Sequence, residues 1–440
     1  KERILAGPLF FFALPGNRNA QGALTAQRRT GGGMSITKHK DLRTGQSVWQ
    51  ARRMTKPACE TLADGVETDV LVVGAGISGA MVADALSDAG LDVLIVDRRG
   101  PLLGSTPAST ALLQYEIDTP LSQLADRIGR TRAERVWRRS RLALDALRER
   151  ARQLGIAADC VNRDSLYLDG NVLDAGGLRR EAEARRRAGF EVSFLEPREV
   201  AARFGVVRRS AILGHDNMAA DPRRLAAGFL EAARARGARL CAPVDIAAIA
   251  PRKTGVTAAT ADGRSIRARR VVFATGYELV KGAPKKGHSI ASTWAIATRP
   301  QPRKLWPEEC FIWEAADPYL YLRTTPDGRV ICGGEDEDFA DEATRDALME
   351  KKIATIERKL AKLMPQLDPT ADYAWTGNFG ASKTGTPSIG RVPRMPNCFA
   401  VMGYGGNGIT FSMMAAQILR GMIAGDGDPD ADLFSFTRRF

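Results

Sequence analysis

The chain has 440 residues, 44% hydrophobic and 26% charged, an ordinary globular composition with enough length for two domains and a substantial core. Its net charge is +13, but a net +4 lies in residues 1–33, and the arginines between Arg127 and Arg152 are interspersed with Leu and Ala as on a solvated helix face, so nucleic acid is not an expected partner. No apolar run reaches the roughly 18 residues of an integral membrane segment, and six scattered cysteines with no C-x-x-C pair or zinc spacing point to free thiols in a reducing, cytoplasmic setting, with no metal.

Ile4 to Leu14 is a short apolar run after a charged start, superficially like the core of a signal peptide, but Met34 opens a more hydrophilic stretch. Met34 is therefore read as the natural start, and residues 1–65 as an N-terminal extension, largely disordered before Met34. The first strong unit follows. Val70 to Val73 reads as a strand, Gly74-x-Gly76-x-x-Gly79 as a turn opening a helix to about Ala89, and Leu91 to Val96 as a second strand closing on Asp97. Gly74 permits the tight turn, Gly76 lets backbone approach a pyrophosphate, and Gly79 lets the helix pack on the strand. The helix start, with Ile77 and Ser78, offers unpaired N–H groups to that pyrophosphate. Asp97, 18 residues past Gly79, is placed to accept from a ribose hydroxyl. The acid disfavours a 2′-phosphate, although Arg98 and Arg99 beside it leave NADP open.

Thr119 to about Gly155 reads as two helices, Ser165 to Asp169 as a strand, and Arg179 to Ala188 and Pro197 to Phe204 as further helices. Another helix runs from Pro222 to Gly237, capped by Asp221. Alternation from Gly255 to Arg264 predicts a small antiparallel excursion, and an apolar strand from Arg270 then ends in Ala274, Thr275 and Gly276, small residues that let backbone lie against a dinucleotide. Residues 291–370 hold short strands rich in aromatics and then a helix from Ala343 to Met364. Tyr319, Tyr321 and Arg323 alternate along one of these strands and so share a face. They are the expected catalytic and substrate-contacting residues, with Arg323 as a bidentate clamp for a carboxylate. Trp313, Glu314, Lys383 and His215 beside Asp216 are weaker candidates. A third marker is the turn Gly403, Tyr404, Gly405, Gly406, Asn407, Gly408, Ile409 and Thr410, which opens an apolar helix to about Ile423. Its N–H cluster suits an electron-rich ring edge that gains negative charge.

The order of these three markers, over about residues 66–436, resembles the D-amino-acid oxidase family of FAD-dependent oxidoreductases, the group with glycine oxidase, sarcosine oxidase and gamma-glutamylputrescine oxidase. The resemblance implies an α/β fold: a Rossmann-like FAD-binding domain (66–158, 216–290 and 371–433) with an antiparallel-sheet α+β substrate domain (159–215 and 291–370). FAD would lie extended along the three markers, with Gly104, Ser105, Thr106, Ser109 and Thr110 where the family's chain passes the pyrophosphate and flavin. Family members often carry G-H-G in the last turn; here Asn407 takes the middle place, so donation to the flavin would come from its amide. Asn378 falls where sarcosine oxidases attach a cysteine to the flavin, which implies noncovalent FAD. Ile331 falls where those enzymes use a lysine for reaction with oxygen, so the electron acceptor is oxygen or another molecule. The implied reaction is oxidation of the C–N bond of an amino acid or amine by hydride transfer to flavin N5, giving an imine. Two other readings stay open. One is a flavin dehydrogenase of an alcohol, 2-hydroxy acid or glycerol 3-phosphate that passes electrons to a quinone, with Arg323 serving the phosphate. The other is a noncatalytic flavin-binding protein.

Overall fold

An apolar run without polar alternation fits a strand covered on both faces. Val70 to Val73 form the inner end of the strand Val66–Val73, and all four are buried. In the computed structural model, which describes residues 35–284, 287–425 and 427–438, this strand pairs in parallel with Ser265–Phe273 on one side and Val93–Val96 on the other. Cys398–Met402 and Arg239–Cys241 extend the parallel core outward. The alternation after Gly255 is a hairpin, Ile246–Arg252 with Gly255–Thr260, attached to Ser265–Phe273. Val70 and Val72 pack in one core cluster with the helices, whereas Leu71 and Val73 pack in another with Ile246 and Val256 from the hairpin region. The helices Ile77–Asp88, Pro222–Ala235 and Gly408–Ala424 lie together on this sheet. Asp221 caps the second of them, accepting from Arg223 N at 2.9 Å and Arg224 N at 3.1 Å.

The second sheet is mostly antiparallel, in the order Arg43–Gly45, Ala371–Ser382, His288–Thr298, Val330–Glu337, Leu320–Thr324, Phe311–Glu314, Val161–Leu168, Ala211–Ala219, Leu112–Leu113. Its membership differs from the segments expected from sequence. Ala371–Ser382 was expected on the dinucleotide side, but it pairs along its length with His288–Thr298. Ala211–Ala219 runs across the expected boundary at 216. A strand's sheet is decided by its partner, and pairings this far apart in sequence leave no local pattern. Instead of one helix over 343–364 there are two, Glu342–Ala347 and Met349–Leu363.

Residues 35–65 are integrated into the fold: Ile36 N donates to Ile246 O at 3.0 Å, and Arg43–Gly45 pairs with Ala371–Ser382. Met34 and the segment before it, with the expected start and disorder, lie outside the described residues. Among the described residues no helix is long and apolar enough to cross a membrane, and all six cysteines are free, Cys59 and Cys160 exposed and the other four buried.

Candidate active site

Gly74 leaves its strand with φ of 113°, and a Cβ there would stand 2.4 Å from the carbonyl oxygen of Ala274. Conformation and space both require glycine. A Cβ on Gly79 would lie 1.8 Å from Gly74 O, so Gly79 brings the helix against the turn. Gly76 differs, because its Cβ would meet only Thr106 Oγ1, at 3.2 Å; its missing side chain keeps space open. The helix Ile77–Asp88 starts there with no side-chain cap, and Ile77 N donates to Thr106 Oγ1 at 3.0 Å.

A cleft runs over this helix start in two arms. The first is lined by Gly74, Gly76, Asp97, Arg98, Gly104, Ala274 and their neighbours. The second leads past Thr110, Gln114 and Asn407 to Trp313, Tyr319, Tyr321 and Asn378. Ile77, Ser78, Ser105, Thr106 and Gly276 line both arms, which makes them one continuous channel. Of the residues expected to hold the dinucleotide, all but Gly79, Gly403 and Thr410 line it. Gly403 instead backs onto His288, and the Thr410 hydroxyl donates to Gln114 O at 2.8 Å.

In the first arm Asp97 accepts from Ala75 N (2.8 Å), Arg99 N (2.8 Å) and Gly100 N (3.0 Å). A carboxylate has about four acceptor positions, so capacity for one hydroxyl remains. Burial pushes its carboxyl pKa upward, and the three amide bonds oppose that. Arg98 and Arg99, which left a 2′-phosphate open, both pair with buried Glu278, at 2.8 and 2.6 Å. One carboxylate thus serves two guanidinium groups; Asp245 lies 4.0 Å from Arg98 Nη1, which is buried without a hydrogen bond.

In the second arm the glycine-rich turn is tied down by its own side chains. Asn407 Nδ2 donates to Glu116 O at 2.8 Å and Gln114 O at 3.2 Å. The amide expected to donate into the cleft is thus committed to backbone carbonyls, because a short side chain next to two bare carbonyls satisfies them first. Buried and without a partner are Asn407 Oδ1, Gln114 Nε2 and Trp313 Nε1, all on cleft-lining residues. Buried polar atoms are nearly always paired, so this arm is fitted to a ligand that brings its own donors and acceptors. A channel with a glycine-made opening at a helix start, a carboxylate at one end and such orphaned atoms at the other fits an extended dinucleotide.

At the far end the rings of Tyr319 and Tyr321 lie 5.9 Å apart. Tyr319 Oη donates to Asp336 Oδ2 at 2.6 Å, and the Thr293 side chain is a second hydrogen-bonding neighbour of this carboxylate. Burial pushes the Asp336 carboxyl up to about 6. Asp118 also lines this end and accepts from Gly406 N at 2.8 Å. Its side chain is exposed in the open cleft yet enclosed by protein at longer range, which pushes its carboxyl pKa upward. Sequence reasoning missed both acids. Asp118 stands two residues before Pro120, where it reads as a helix opening, and Asp336 has no motif around it.

Arg323 is elsewhere. It is 1% exposed, and it donates to Ala111 O at 2.6 Å, Ala220 O at 3.0 Å and Thr324 O at 3.0 Å. Burial lowers its pKa to about 9, which leaves it protonated at neutral pH. Tyr321 and Arg323 do share a strand face, but they stand about 7 Å apart along it, and the guanidinium ends behind the wall formed by Thr110 and Ala111. Neither a carboxylate nor a phosphate clamp is formed by it. His215 pairs with Asp164 at 2.9 Å and Glu314 with Arg209 at 3.1 Å, and neither they nor Lys383 line the channel. Among the described residues no lysine, arginine, histidine or cysteine lines the second arm. Ile331 is fully buried in the core, and Asn378 lines the arm while accepting from Arg345.

Gamma-glutamylputrescine oxidoreductase of Escherichia coli (strain K12) is 25% identical to this chain over 382 residues, covering 84% of this chain and 86% of that protein. Among solved structures, L-proline dehydrogenase from P. horikoshii superposes with a TM-score of 0.70 at 16% identity, covering 84% of this chain and 97% of that one. Glycine oxidase from Geobacillus kaustophilus gives 0.68 at 21% identity, over 85% and 100%. At such identities the likeness to the solved structures is one of fold. The family described as FAD dependent oxidoreductase matches residues 69–422. Since that match spans most of its length, the chain belongs to this family of FAD-dependent oxidoreductases.

Proposed function

We propose that this protein oxidises the C–N bond of an amine or amino acid, with noncovalent FAD lying along the channel. The observation that carries the reading is the single channel that starts at Asp97 and ends between Tyr319, Tyr321 and Asp118. Asp97 is placed for the ribose, and the helix start at Ile77 with Ser105 and Thr106 for the pyrophosphate. Among the described residues the lining holds no cysteine or histidine in the second arm, which speaks for noncovalent binding, and the six free cysteines speak for a cytoplasmic setting. FAD, when bound, supplies the hydride acceptor at N5, so that the substrate leaves as an imine. The protein has to bind the amine as its neutral form, keep water out and fix the carbon that loses hydride. Trp313, Tyr319 and Tyr321 supply the apolar walls for this. The parallel sheet would serve as the cofactor side and the antiparallel sheet as the substrate side.

A second reading concerns the acceptor. Reduction of oxygen builds negative charge that a nearby cation stabilises. With no lysine among the described lining residues and Ile331 in the core, an acceptor other than oxygen is favoured.

The test is a visible spectrum of protein purified from Met34 onward, before and after acid precipitation, followed by anaerobic addition of amines and amino acids. The expected outcome is a flavin spectrum that leaves with the supernatant and bleaches with an amine, with dye reduction exceeding oxygen uptake. A flavin that no amine or amino acid bleaches would reduce the protein to a flavin-binding role or to alcohol chemistry.

A further inference from the structure

The substrate end of the channel is acidic and aromatic. Asp118 is exposed there and has no basic partner among the described residues; its one hydrogen bond comes from Gly406 N, on Oδ2 at 2.8 Å. Across the same end stand the Tyr319 and Tyr321 rings. Behind Tyr319 lies Asp336, with Oδ2 held by the phenol and the Thr293 side chain beside it as a second hydrogen-bonding neighbour. Because the Tyr319 proton is given to Asp336, the phenol oxygen offers only lone pairs to a ligand. Trp313 completes the wall. Aromatic faces and carboxylates together attract a cation. The residue that would have attracted a carboxylate, Arg323, has its donors turned to the backbone behind the wall.

These acids do not suit the reacting nitrogen. Loss of hydride from the neighbouring carbon requires the neutral amine, and a carboxylate beside that nitrogen would hold it protonated. They suit a positive charge that persists through the reaction. We propose that the substrate carries a second, non-reacting cationic group, as a diamine or polyamine does, and that Asp118 receives it with support from the Tyr319–Asp336 pair. Simple α-amino acids are then poor substrates. This inference rests on the amine-oxidation reading above and names the substrate class for it.

The test uses the holoenzyme. Tetramethylammonium and benzoate, neither of which can be oxidised here, are titrated while the flavin absorbance is followed, and anaerobic flavin reduction is compared for butylamine and 1,4-diaminobutane. Tetramethylammonium is expected to bind at least roughly tenfold more tightly than benzoate, and the diamine to be preferred over the monoamine by a similar factor. Asp118→Asn keeps an acceptor for Gly406 N, and it is expected to collapse both ratios toward one. Benzoate binding more tightly than the cation, a monoamine bleaching as well as the diamine, or ratios unchanged in Asp118→Asn would overturn the proposal. If Asp118→Asn fails to hold FAD, the wild-type titrations decide alone. Bleaching by no amine at all would sink amine oxidation itself, whereas bleaching without preference for the diamine would sink only the second charge.

Discussion

Arg323 donates to the carbonyl oxygen of Ala111 at 2.6 Å, from behind a segment whose other side lines the channel. Trp49 Nε1 bonds Ser109 O at 2.7 Å and Trp375 Nε1 bonds Ala108 O at 2.9 Å, so three long side chains hold residues 108–111 from outside. Arg323→Met would leave the carbonyls of Ala111, Ala220 and Thr324 buried without this donor, each costing about 1–3 kcal/mol. The expected result is a destabilisation of about 3 kcal/mol or more in urea unfolding, with a general loss of FAD affinity. A KM rise confined to carboxylate substrates, at unchanged stability, would return Arg323 to the substrate site.

The glycines of the turn separate folding from cofactor binding. Gly74→Ala forces a Cβ to 2.4 Å from the Ala274 carbonyl at φ of 113°, a backbone clash that no side chain can relieve, so the variant should fold poorly with or without FAD. Gly76 has φ of −82°, which any residue adopts, and its Cβ would meet only Thr106 Oγ1 at 3.2 Å. Gly76→Ala should leave the apoprotein within about 0.5 kcal/mol of wild type. Its Cβ would stand in the channel and should raise the FAD Kd at least roughly tenfold. Thermal melts of apoprotein and flavin titrations distinguish the two. Equal loss in both assays for Gly76→Ala would mean that the glycine serves packing alone.

What could be read from the sequence follows from the range over which each constraint acts. Gly74 is held to its type by its positive φ, and Asp97 by the amides of Ala75, Arg99 and Gly100, constraints that act within one short unit and so keep their residues in order along the chain. Tyr321 and Arg323 were assigned to one face by alternation, which holds, but alternation gives no position along the strand relative to a loop 200 residues away. The same limit hid Asp118: its partner is the amide of Gly406, and nothing near either residue announces the other. Asn407 was assigned a role by its place in a motif, and the role was taken over by two carbonyls that only tertiary structure brings near.

Outside the channel, Glu181 and Arg185 form an ion pair at 2.8 Å with both side chains almost fully buried. Glu181 also accepts from Leu121 N at 2.9 Å and Ser122 N at 2.8 Å, joining the helix Ala175–Arg187 to the start of Leu121–Ile128. The Arg185 charge and these bonds hold the Glu181 carboxyl below the usual range despite its burial. A depressed acid pKa contributes stability above the unfolded value of about 4.3 and loses it as pH falls through the folded value. Glu181→Ala should therefore cost about 3–5 kcal/mol at pH 7. The gap to wild type should shrink below about pH 4. A gap independent of pH would mean that packing, and not charge, carries the effect.

Asp336 should set an acid limb in the pH profile for cationic substrates. Its folded pKa is raised to about 6, chiefly by burial, with Asp118 as a like-charged neighbour. A raised acid pKa means that the fold favours the neutral form; the stability contribution is full below the unfolded value of about 3.9 and is lost as pH rises through 6. Binding of a cation has the opposite requirement, since only the ionised form attracts it. KM for a cationic substrate is thus expected to rise as pH falls below about 6, while kcat/KM for a neutral analogue shows no such limb. Asp118→Asn removes a negative neighbour and should move the limb to lower pH, whereas Asp336→Asn should also stabilise the protein slightly at pH 7 by removing a charge from a buried site. Steady-state profiles over pH 5–8 for wild type and both variants provide the measurement. A limb at the same pH in all three would assign it to the substrate or to a group elsewhere, and would take Asp336 out of substrate recognition.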